Sequence, residues 1–320
     1  MVDPVRGNQA WNSYPGSNSE VEVGREFEEQ RSYLFSIAYR LIGSVTDAED
    51  MVQETFLRWR SARDDQIRST RAYLATIVVR LCLDQLRSAR AKREVYVGPW
   101  LPEPLVTTGR SDLTDNLIMR ESLSFAFLLM LEKLSPLERA VFVLREVFDF
   151  DYSEIAQITA KTESNCRQVF HRARGKMRED DVRYEAQTEQ LTALTQQFMQ
   201  AASSGDLNGI IRLLADDVSH TPDGGGKAAI GGLRTIHTPD RVARGTLGNL
   251  LKMPPDNAWI EEINGQPAIV ATRHGQPFAV MLAEARDGKI HRLYSVVNPD
   301  KLNDIARLIE SRSSVPIWPT

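Results

Sequence analysis

The sequence of 320 residues predicts a multidomain chain in which two all-α domains precede an α+β domain with helices packed on a curved antiparallel sheet. Three observations predict this order. Helical spacing of apolar residues dominates the chain up to about residue 181. A proline-rich stretch interrupts that spacing at residues 98–104, and β-rich runs separated by hairpin-turn dipeptides follow residue 257. Because one core rarely organises a chain of this length, several domains are expected.

The first predicted domain spans residues 21–94 and contains three amphipathic helices. Residues 27–41 have helical apolar spacing. Thr46 and Glu49 fit a capping box that would begin the second helix, because the Thr hydroxyl accepts an orphan amide and the Glu reaches back. The third pattern covers residues 70–93 and becomes strongly basic toward its end. The pattern is typical of a small helical bundle.

Residues 95–112 are predicted to form a stiff linker, because each proline removes an amide donor and favours extended backbone before it. The second domain is predicted at residues 113–182. Ser135 and Glu138 form its capping-box signature, and the region from there onward is typical of a helix-turn-helix that ends in a basic helix.

The third domain is predicted at residues 187–312, where the pattern changes from helical to mixed. Helices are expected at residues 191–202 and 207–214, with a third beginning at Thr238. Asn-Gly, His-Gly and Asp-Gly dipeptides separate the β-rich runs, as expected of hairpins. The expected strands are residues 258–263, 267–272, 278–284 and 290–297.

Composition supports a soluble globular protein, with 42% hydrophobic and 26% charged residues. No apolar run reaches the roughly 20 residues that span a bilayer, so no membrane association is predicted. Residues 1–20 and 313–320 are interpreted as tails. Cys82 and Cys166 are expected to be reduced thiols in a cytoplasmic protein, and no metal site or cofactor is predicted.

The basic helix is the strongest functional signal, because it is positive within a chain of net charge −4. In a helix-turn-helix, the N-terminal residues of the second helix face base edges, and later basic residues contact phosphates. The alternative is a solvated charged helix without a ligand. The candidate DNA-reading residues are Thr162, Glu163, Ser164, Asn165, Arg167, Gln168, His171, Arg172 and Arg174.

Three motifs together carry a family resemblance: the acidic helix at residues 47–59, the helix at residues 73–87, and the helix-turn-helix. With them, residues 22–181 resemble a bacterial extracytoplasmic-function sigma factor, the promoter-specificity subunit of RNA polymerase. The resemblance implies that the acidic helix binds the clamp helices of core RNA polymerase, although charge alone is equally typical of a solvated face. The implied polymerase-binding residues are Asp47, Asp50, Gln53, Glu54 and Trp59.

The same resemblance implies that the first domain binds and helps melt the minus-ten promoter element. A flipped base costs a few kcal/mol of unstacking, which a shaped pocket must offset. The loop at residues 61–70 is the expected location of that pocket, although it has few aromatic residues. The candidate minus-ten residues are Arg80, Arg87, Arg90, Lys92 and Arg93.

The region after residue 184 resembles the SnoaL-like, nuclear-transport-factor-like cone fold, and sigma factors with this extension form a subgroup. We expect the fused domain to regulate the sigma factor in cis, in place of a separate anti-sigma protein, because tethering through a short linker gives a high effective concentration. The implied interdomain residues are Trp100, Leu101, Pro102, Glu103 and Pro104 in the linker, Asp223, Gly224, Gly225, Gly226 and Lys227 in the extension, and Asn298, Pro299, Asp300, Lys301 and Leu302 after the last strand.

Other interpretations stay open at this point. The chain also fits a helix-turn-helix regulator that does not engage polymerase and whose cone domain senses an unidentified small ligand or acts as an enzyme. Catalysis would use His220, Asp223, His237, Asp240 or His291, but no pair has a diagnostic spacing, so no enzyme is predicted. The glycine-rich segment 224–229 formally fits a dinucleotide fingerprint but lacks a surrounding βαβ unit. Residues 298–302 also fit a simple helix start.

Overall fold

The computed structural model describes residues 17–61, 69–93, 96–114, 117–179, 188–228 and 230–311. The N-terminal half of these ranges is helical, and the rest combines helices with one sheet. The helices are α1 (Ser17–Ile42), α2 (Val45–Ser61), α3 (Thr70–Arg93), α4 (Ser111–Thr114), α5 (Leu117–Glu121), α6 (Phe125–Leu131), α7 (Pro136–Glu146), α8 (Tyr152–Thr159), α9 (Glu163–Glu179), α10 (Thr188–Ser203), α11 (Leu207–Leu213), α12 (Pro239–Lys252) and α13 (Asn303–Ser311). The strands are β1 (Leu214–Asp223), β2 (Ile236–His237), β3 (Asn257–Ile263), β4 (Gln266–Arg273), β5 (Gln276–Arg286) and β6 (Lys289–Val296).

The three helices of the first helical unit, α1–α3, lie where the apolar spacing predicts them. Helix α1 begins at Ser17, within the range predicted as an N-terminal tail; residues 1–16 and the C-terminal range 313–320 lie outside the described residues. The predicted capping box at Thr46 is wrong. Helix α2 begins at Val45, and the Ser44 hydroxyl accepts a hydrogen bond from the Asp47 amide at 3.1 Å. Glu49 is therefore free to bind elsewhere.

The second helical unit, α4–α9, contains the predicted helix-turn-helix. Its first part consists of the short helices α4–α6. The capping box at Ser135 is confirmed, because the Ser135 side chain and the Glu138 carboxylate each accept from the other residue's backbone amide. Helices α8 and α9 form the helix-turn-helix, and the backbone between them turns through Ala160, whose φ is +53°.

The two helical units share one continuous apolar core that extends from Phe27 to Met177. Two buried guanidinium groups cross between them. Arg40 of α1 donates to the Ser122 hydroxyl and the Met119 carbonyl, both at 2.7 Å, and burial lowers the pKa of Arg40 to about 9. Arg139 of α7 donates to the Leu41 carbonyl at 2.9 Å. The predicted domains are therefore packed tightly against each other.

The third unit, here called the cone domain (α10–α13 with the sheet), has the strand order β2-β1-β6-β5-β4-β3. The four predicted strands are confirmed as β3–β6. The expectation of a wholly antiparallel sheet is wrong in one place, because β1 pairs in parallel with β6 and makes the sheet mixed. Strand β1 escaped prediction because it carries Asp216, Asp217 and Pro222, which are depleted in strands.

The two faces of the sheet bury different partners. One face packs under α10–α12 around residues such as Phe198, Val242 and Leu293. The opposite face packs on α13, on Leu101 of the linker and on Phe125 of α6, whose ring lies 5.9 Å from that of Tyr294. The cone domain is therefore seated on the second helical unit through an apolar interface.

Two absences concern only the described ranges. No helix there is long and apolar enough to cross a membrane. Nor do the described His, Cys, Asp and Glu residues form a group of three or more that could hold a metal ion. Cys82 and Cys166 are both buried free thiols.

Candidate functional site

Helix α9 presents the predicted DNA-reading residues on one face. Its opposite face is buried against the helical core through Cys166, Val169, Phe170 and Ala173. The Thr162 hydroxyl accepts from the Asn165 amide at 3.2 Å and so caps the helix. Asn165 is half-buried, whereas the exposed members are Thr162, Glu163, Ser164, Arg167, Gln168, His171, Arg172 and Arg174. A basic, solvent-facing surface of this kind suits a DNA groove.

Helix α2 carries the predicted polymerase-binding residues. Asp50 and Gln53 are exposed, while Asp47 and Glu54 are half-buried. Trp59 is 7% exposed and its ring packs 5.9 Å from that of Tyr73, so its expected contact with polymerase is corrected to a role in the core.

Sequence reasoning missed two further residues on α2. Leu57 is 51% exposed, and it lies one turn after Gln53. Glu49 forms a bidentate ion pair with Arg307 of α13, with distances of 2.7 and 2.9 Å. The acidic helix is thus bound by the cone domain at Glu49 and exposed to solvent at Leu57.

The predicted minus-ten residues differ in their surroundings. Arg80 of α3 donates from Nε to the Ile158 carbonyl at 3.0 Å and from Nη2 to the Gln157 carbonyl at 2.9 Å. These carbonyls lie at the C-terminal end of α8, where the helix dipole favours a cation. Arg87 is exposed and pairs with Asp84 of its own helix. The loop at residues 62–68 and the side chains of Arg90, Lys92 and Arg93 lie outside the described residues.

The linker runs extended between the first helical unit and the cone domain. Toward the helices, the Glu103 amide donates to the Gly43 carbonyl at 2.9 Å, and Trp100 packs so closely that a Cβ on Gly43 would lie 3.0 Å from its ring. The Glu103 carboxylate accepts from the Ser44 hydroxyl at 2.8 Å and from the Thr46 amide at 2.9 Å. Glu103 therefore caps α2, and the buried Pro102 and Pro104 flank it.

Toward the cone domain, the linker meets a buried carboxylate. Asp223 is 0% exposed and accepts from the Leu101 amide at 2.8 Å and from the Tyr96 hydroxyl at 2.5 Å. Lys301 donates to Asp223 at 2.7 Å and lies 4.4 Å from the Trp100 ring. Together with the Glu103 cap, these contacts are called the linker interface.

Asn298 completes the linker interface and explains the glycines. Its amide donates to the Tyr96 hydroxyl at 2.9 Å. Burial, followed by the hydrogen bond with Asp223, raises the pKa of Tyr96. A Cβ on Gly225, whose φ is +56°, would lie 2.4 Å from Asn298 Nδ2, and one on Gly226 would lie 3.0 Å from Val97. The linker can approach this turn because Gly225 and Gly226 carry no side chains.

The expected interdomain role of Lys227 is corrected. Lys227 forms an ion pair with Asp300, and both residues belong to the cone domain and are more than half exposed. Gly224 accepts from the Lys227 amide in a tight turn, with no βαβ unit around it. Pro299 begins a single 3₁₀ turn, Pro299–Lys301, and Leu302 is buried against the sheet. Residues 298–302 thus act as a helix start and as part of the linker interface.

Sequence reasoning also missed Asn264, which it interpreted as a hairpin-turn residue. Asn264 is 1% exposed, with φ of +55°, at the tip of the β3–β4 hairpin. Its side chain accepts from the Leu105 amide at 2.9 Å and donates to the Tyr39 hydroxyl at 2.7 Å and the Leu123 carbonyl at 2.8 Å. One side chain thereby joins the linker and both helical units to the cone domain. This role is visible only in the folded chain, where the buried Asn264 side chain meets partners from distant segments.

The residues considered for catalysis have separate partners. His220 pairs with Ser295 at 2.7 Å, Asp223 belongs to the linker interface, and Asp240 pairs with Arg244. His291 lies 2.7 Å from Asp217, and His237 is exposed on β2. They do not converge on one point as an acid/base site requires.

Comparison with known proteins identifies the family of the two helical units. Residues 27–92 match the family model of Sigma-70 region 2, and residues 124–177 match that of Sigma-70 region 4. The ECF RNA polymerase sigma factor SigJ of Mycobacterium tuberculosis is 37% identical over 291 residues, covering 86% of this chain and 92% of SigJ. The chain belongs to the ECF family of RNA polymerase sigma factors.

Two further similarities support the family. The probable ECF sigma factor SigI of Mycobacterium tuberculosis is 31% identical and covers 88% of this sigma factor and 96% of its own length. The crystal structure of SigJ matches with a TM-score of 0.71 and 34% identity, covering 88% of this chain and 98% of SigJ. Since that coverage extends beyond the two helical regions, the similarity includes the linker and the cone domain. In this sigma factor, α2 and α3 belong to region 2, and α8 and α9 to region 4.

Proposed function

We propose that this sigma factor binds core RNA polymerase through α2, reads the minus-thirty-five element with α9 and the minus-ten element with region 2, and is held inactive by its cone domain. It acts in the cytoplasm with the polymerase, and no catalytic role is assigned to it. The observation that carries the regulatory part is the linker interface, in which Asp223 of the cone domain binds the Leu101 amide and the Tyr96 hydroxyl.

The polymerase-binding part rests on the exposed face of α2. Asp50, Gln53 and Leu57 follow one another at one-turn spacing and remain uncovered. Acidic residues beside one exposed apolar side chain suit a basic helical partner, because the apolar side chain supplies burial and the charges supply specificity.

We call the arrangement in which regions 2 and 4 pack against each other the closed state. It depends on a direct contact between the two regions. Arg80 and the end of α8 lie within hydrogen-bond distance. By their names, the two promoter elements are separated by roughly 25 base pairs, or about 85 Å along B-form DNA. The regions must separate before both elements can be bound at once. Whatever holds them together therefore opposes promoter binding.

The cone domain supplies contacts that favour the closed state. Asn264 binds both helical units, Asp223 binds the linker, and Arg307 binds α2. Tethering within one chain gives an effective concentration on the order of millimolar, so individually weak contacts suffice. Release of the cone domain would shift the population toward the open arrangement.

The regulatory part is tested by run-off transcription with core polymerase. Asp223→Ala leaves the buried ammonium of Lys301 without its carboxylate and breaks the contact with the linker, so transcription should rise several-fold. Lys227→Ala is the matched control, because its ion pair is exposed and lies within the cone domain. Equal transcription from wild type and a folded Asp223→Ala variant would contradict the proposal.

The polymerase-binding part is tested separately by co-purification with core polymerase. A variant combining Asp50→Arg with Leu57→Ala should bind at least ten-fold more weakly than wild type, while its melting temperature stays close to that of wild type because both side chains are exposed. If the wild-type chain fails to bind core polymerase, the competing regulator function is favoured instead.

A further inference from the structure

The cone domain contains an apolar cavity that is partly open to solvent and lies beside the linker interface. The cavity measures about 90 Å³ and is bordered by α10, α12 and the sheet. Its walls include Phe198, Met253, Phe278 and Met281, with alanines such as Ala271 on the strands leaving room. A single water needs only about 10–15 Å³, so the space is several times larger than one buried water requires.

One polar pair interrupts the apolar wall. His220 of β1 is 4% exposed, and its Nε2 lies 2.7 Å from the Ser295 hydroxyl of β6. Within the part of the chain that the structure describes, the other ring nitrogen, Nδ1, has no hydrogen-bond partner. Burial lowers the pKa of His220 to about 4, so the imidazole is neutral near pH 7. Thr246 also lines the cavity, but its hydroxyl donates to the Val242 carbonyl of its own helix.

We infer that this cavity binds a small, uncharged, mainly apolar molecule that carries one hydroxyl group beside His220. Apolar walls reject water and charge, since a water needs two to four polar partners. A neutral imidazole leaves Nδ1 as a donor or an acceptor, depending on the tautomer that Ser295 selects. A hydroxyl group satisfies either form, because it both donates and accepts. Methionines at the wall adapt to an irregular ligand.

The cavity and the linker interface meet at the C-terminal ends of β1 and β6. Pro222 and Val297 border the cavity, and each directly precedes a linker-interface residue, Asp223 or Asn298. The Val297 amide also donates to the Asp223 carbonyl at 2.8 Å. A ligand that moves these two strand ends changes the position of Asp223. Only this regulatory consequence rests on the proposed function; the binding itself does not.

Phenol, toluene and benzoate test the binding with the full-length chain in the absence of polymerase. The three share a ring but differ in polar group: one hydroxyl, none, or a charge. By saturation-transfer NMR, phenol should bind with a Kd on the order of a millimolar or tighter, and toluene about five-fold more weakly for want of one hydrogen bond. Benzoate should not bind. Absence of phenol binding, or equal binding of phenol and toluene by the wild type, would overturn the inference.

Three variants locate the site. His220→Phe should abolish the preference for phenol over toluene, and Ala271→Leu should abolish binding of both by filling the cavity. His237→Phe, at an exposed position on β2, is the matched control and should bind as wild type does. Binding that survives Ala271→Leu in a folded variant overturns the location. Should a variant not fold, the wild-type comparison of the three probes decides alone.

Hydrogen exchange tests the regulatory consequence. The Leu101 amide donates to the Asp223 carboxylate and is buried, so its exchange reports on the linker interface. Saturating phenol should change its exchange rate at least two-fold in wild type and leave it unchanged in Ala271→Leu. An unchanged rate in phenol-saturated wild type overturns the coupling. Because no polymerase is present, a failure of the proposed sigma function cannot produce that outcome.

Discussion

Asn264, at the tip of the β3–β4 hairpin, donates a hydrogen bond of 2.7 Å to the hydroxyl of Tyr39 in α1, 225 residues earlier in the chain. Tyr39 in turn donates to the Glu103 carbonyl of the linker at 2.7 Å. Burial raises the pKa of Tyr39 far above its usual value, so the hydroxyl remains protonated and keeps donating. A single chain of hydrogen bonds thus connects the cone domain, region 2 and the linker.

Replacing Asn264 with glycine should destabilise the closed state by about 2–5 kcal/mol, because the Leu105 amide and the Leu123 carbonyl lose their buried partner. Glycine accepts the φ of +55° at this position, so the turn itself is preserved. Denaturant unfolding measures the loss. Asp287→Gly is the matched control, since Asp287 has φ of +52° in an exposed hairpin turn. Equal stability of the two variants would contradict the role of Asn264.

Reversing the charge of Arg307 should free one edge of α2. The ion pair with Glu49 is about half exposed, so Arg307→Glu should cost only about 0.2–1 kcal/mol of stability. We expect the affinity for core polymerase, measured by fluorescence anisotropy, to rise several-fold. The double variant Glu49→Arg with Arg307→Glu should recover the stability. Arg244→Glu, which breaks an exposed pair within α12, serves as the control and should leave polymerase affinity unchanged.

Removing the Arg80 side chain should loosen the packing of region 2 on region 4. Arg80→Ala leaves the carbonyls of Gln157 and Ile158 without their charged donor, at an expected cost of about 1–3 kcal/mol. Resonance energy transfer between dyes on α3 and α9 should show a longer mean distance. Arg87→Ala removes an exposed pair on the same helix and should change the distance little. A distance that is the same in all three proteins would argue against this contact as a restraint.

Glu284 predicts a pH dependence of stability. It is 5% exposed on β5, and burial raises its pKa from 4.5 to about 7, although Arg292 and Tyr294 lie nearby and partly oppose the rise. A carboxyl whose folded pKa is raised binds more protons when folded than when unfolded. Its contribution is therefore neutral below about pH 4.5, becomes increasingly unfavourable as pH rises from about 4.5 to about 7, and stays constant above that.

Glu284→Gln removes this titration. Between pH 4.5 and 7.5 the variant should gain about 3 kcal/mol of stability relative to wild type, as measured by denaturant unfolding across pH. His220, whose lowered pKa acts in the opposite sense, is present in both proteins and cancels from the difference. A difference that does not change with pH would show that Glu284 is not the titrating group.

Elements with strong local signals were predictable from the sequence. The spacing in α1–α3, the Ser135 capping box and the turn dipeptides between β3, β4, β5 and β6 are each encoded within a few residues, and all are confirmed. Strand β1 was not predictable, because its acidic residues and proline oppose a strand and its parallel partner, β6, lies some 70 residues later. The capping prediction for α2 failed in part for a similar reason: the Ser44 hydroxyl, and not that of Thr46, accepts from the Asp47 amide, and the Thr46 amide binds Glu103 of the distant linker.

The sequence by itself determined the helix-turn-helix, the acidic helix, the proline-rich linker and the family, because each depends on residue types close together in the chain. Only the tertiary structure decided which of those residues are exposed and available to bind a partner. It buried Trp59 in the core, bound Arg80 to α8, paired Lys227 with Asp300 inside the cone domain and joined three units through Asn264. These outcomes depend on which distant backbone groups become desolvated together, and a buried polar atom acquires its partner only when the chain has folded around it.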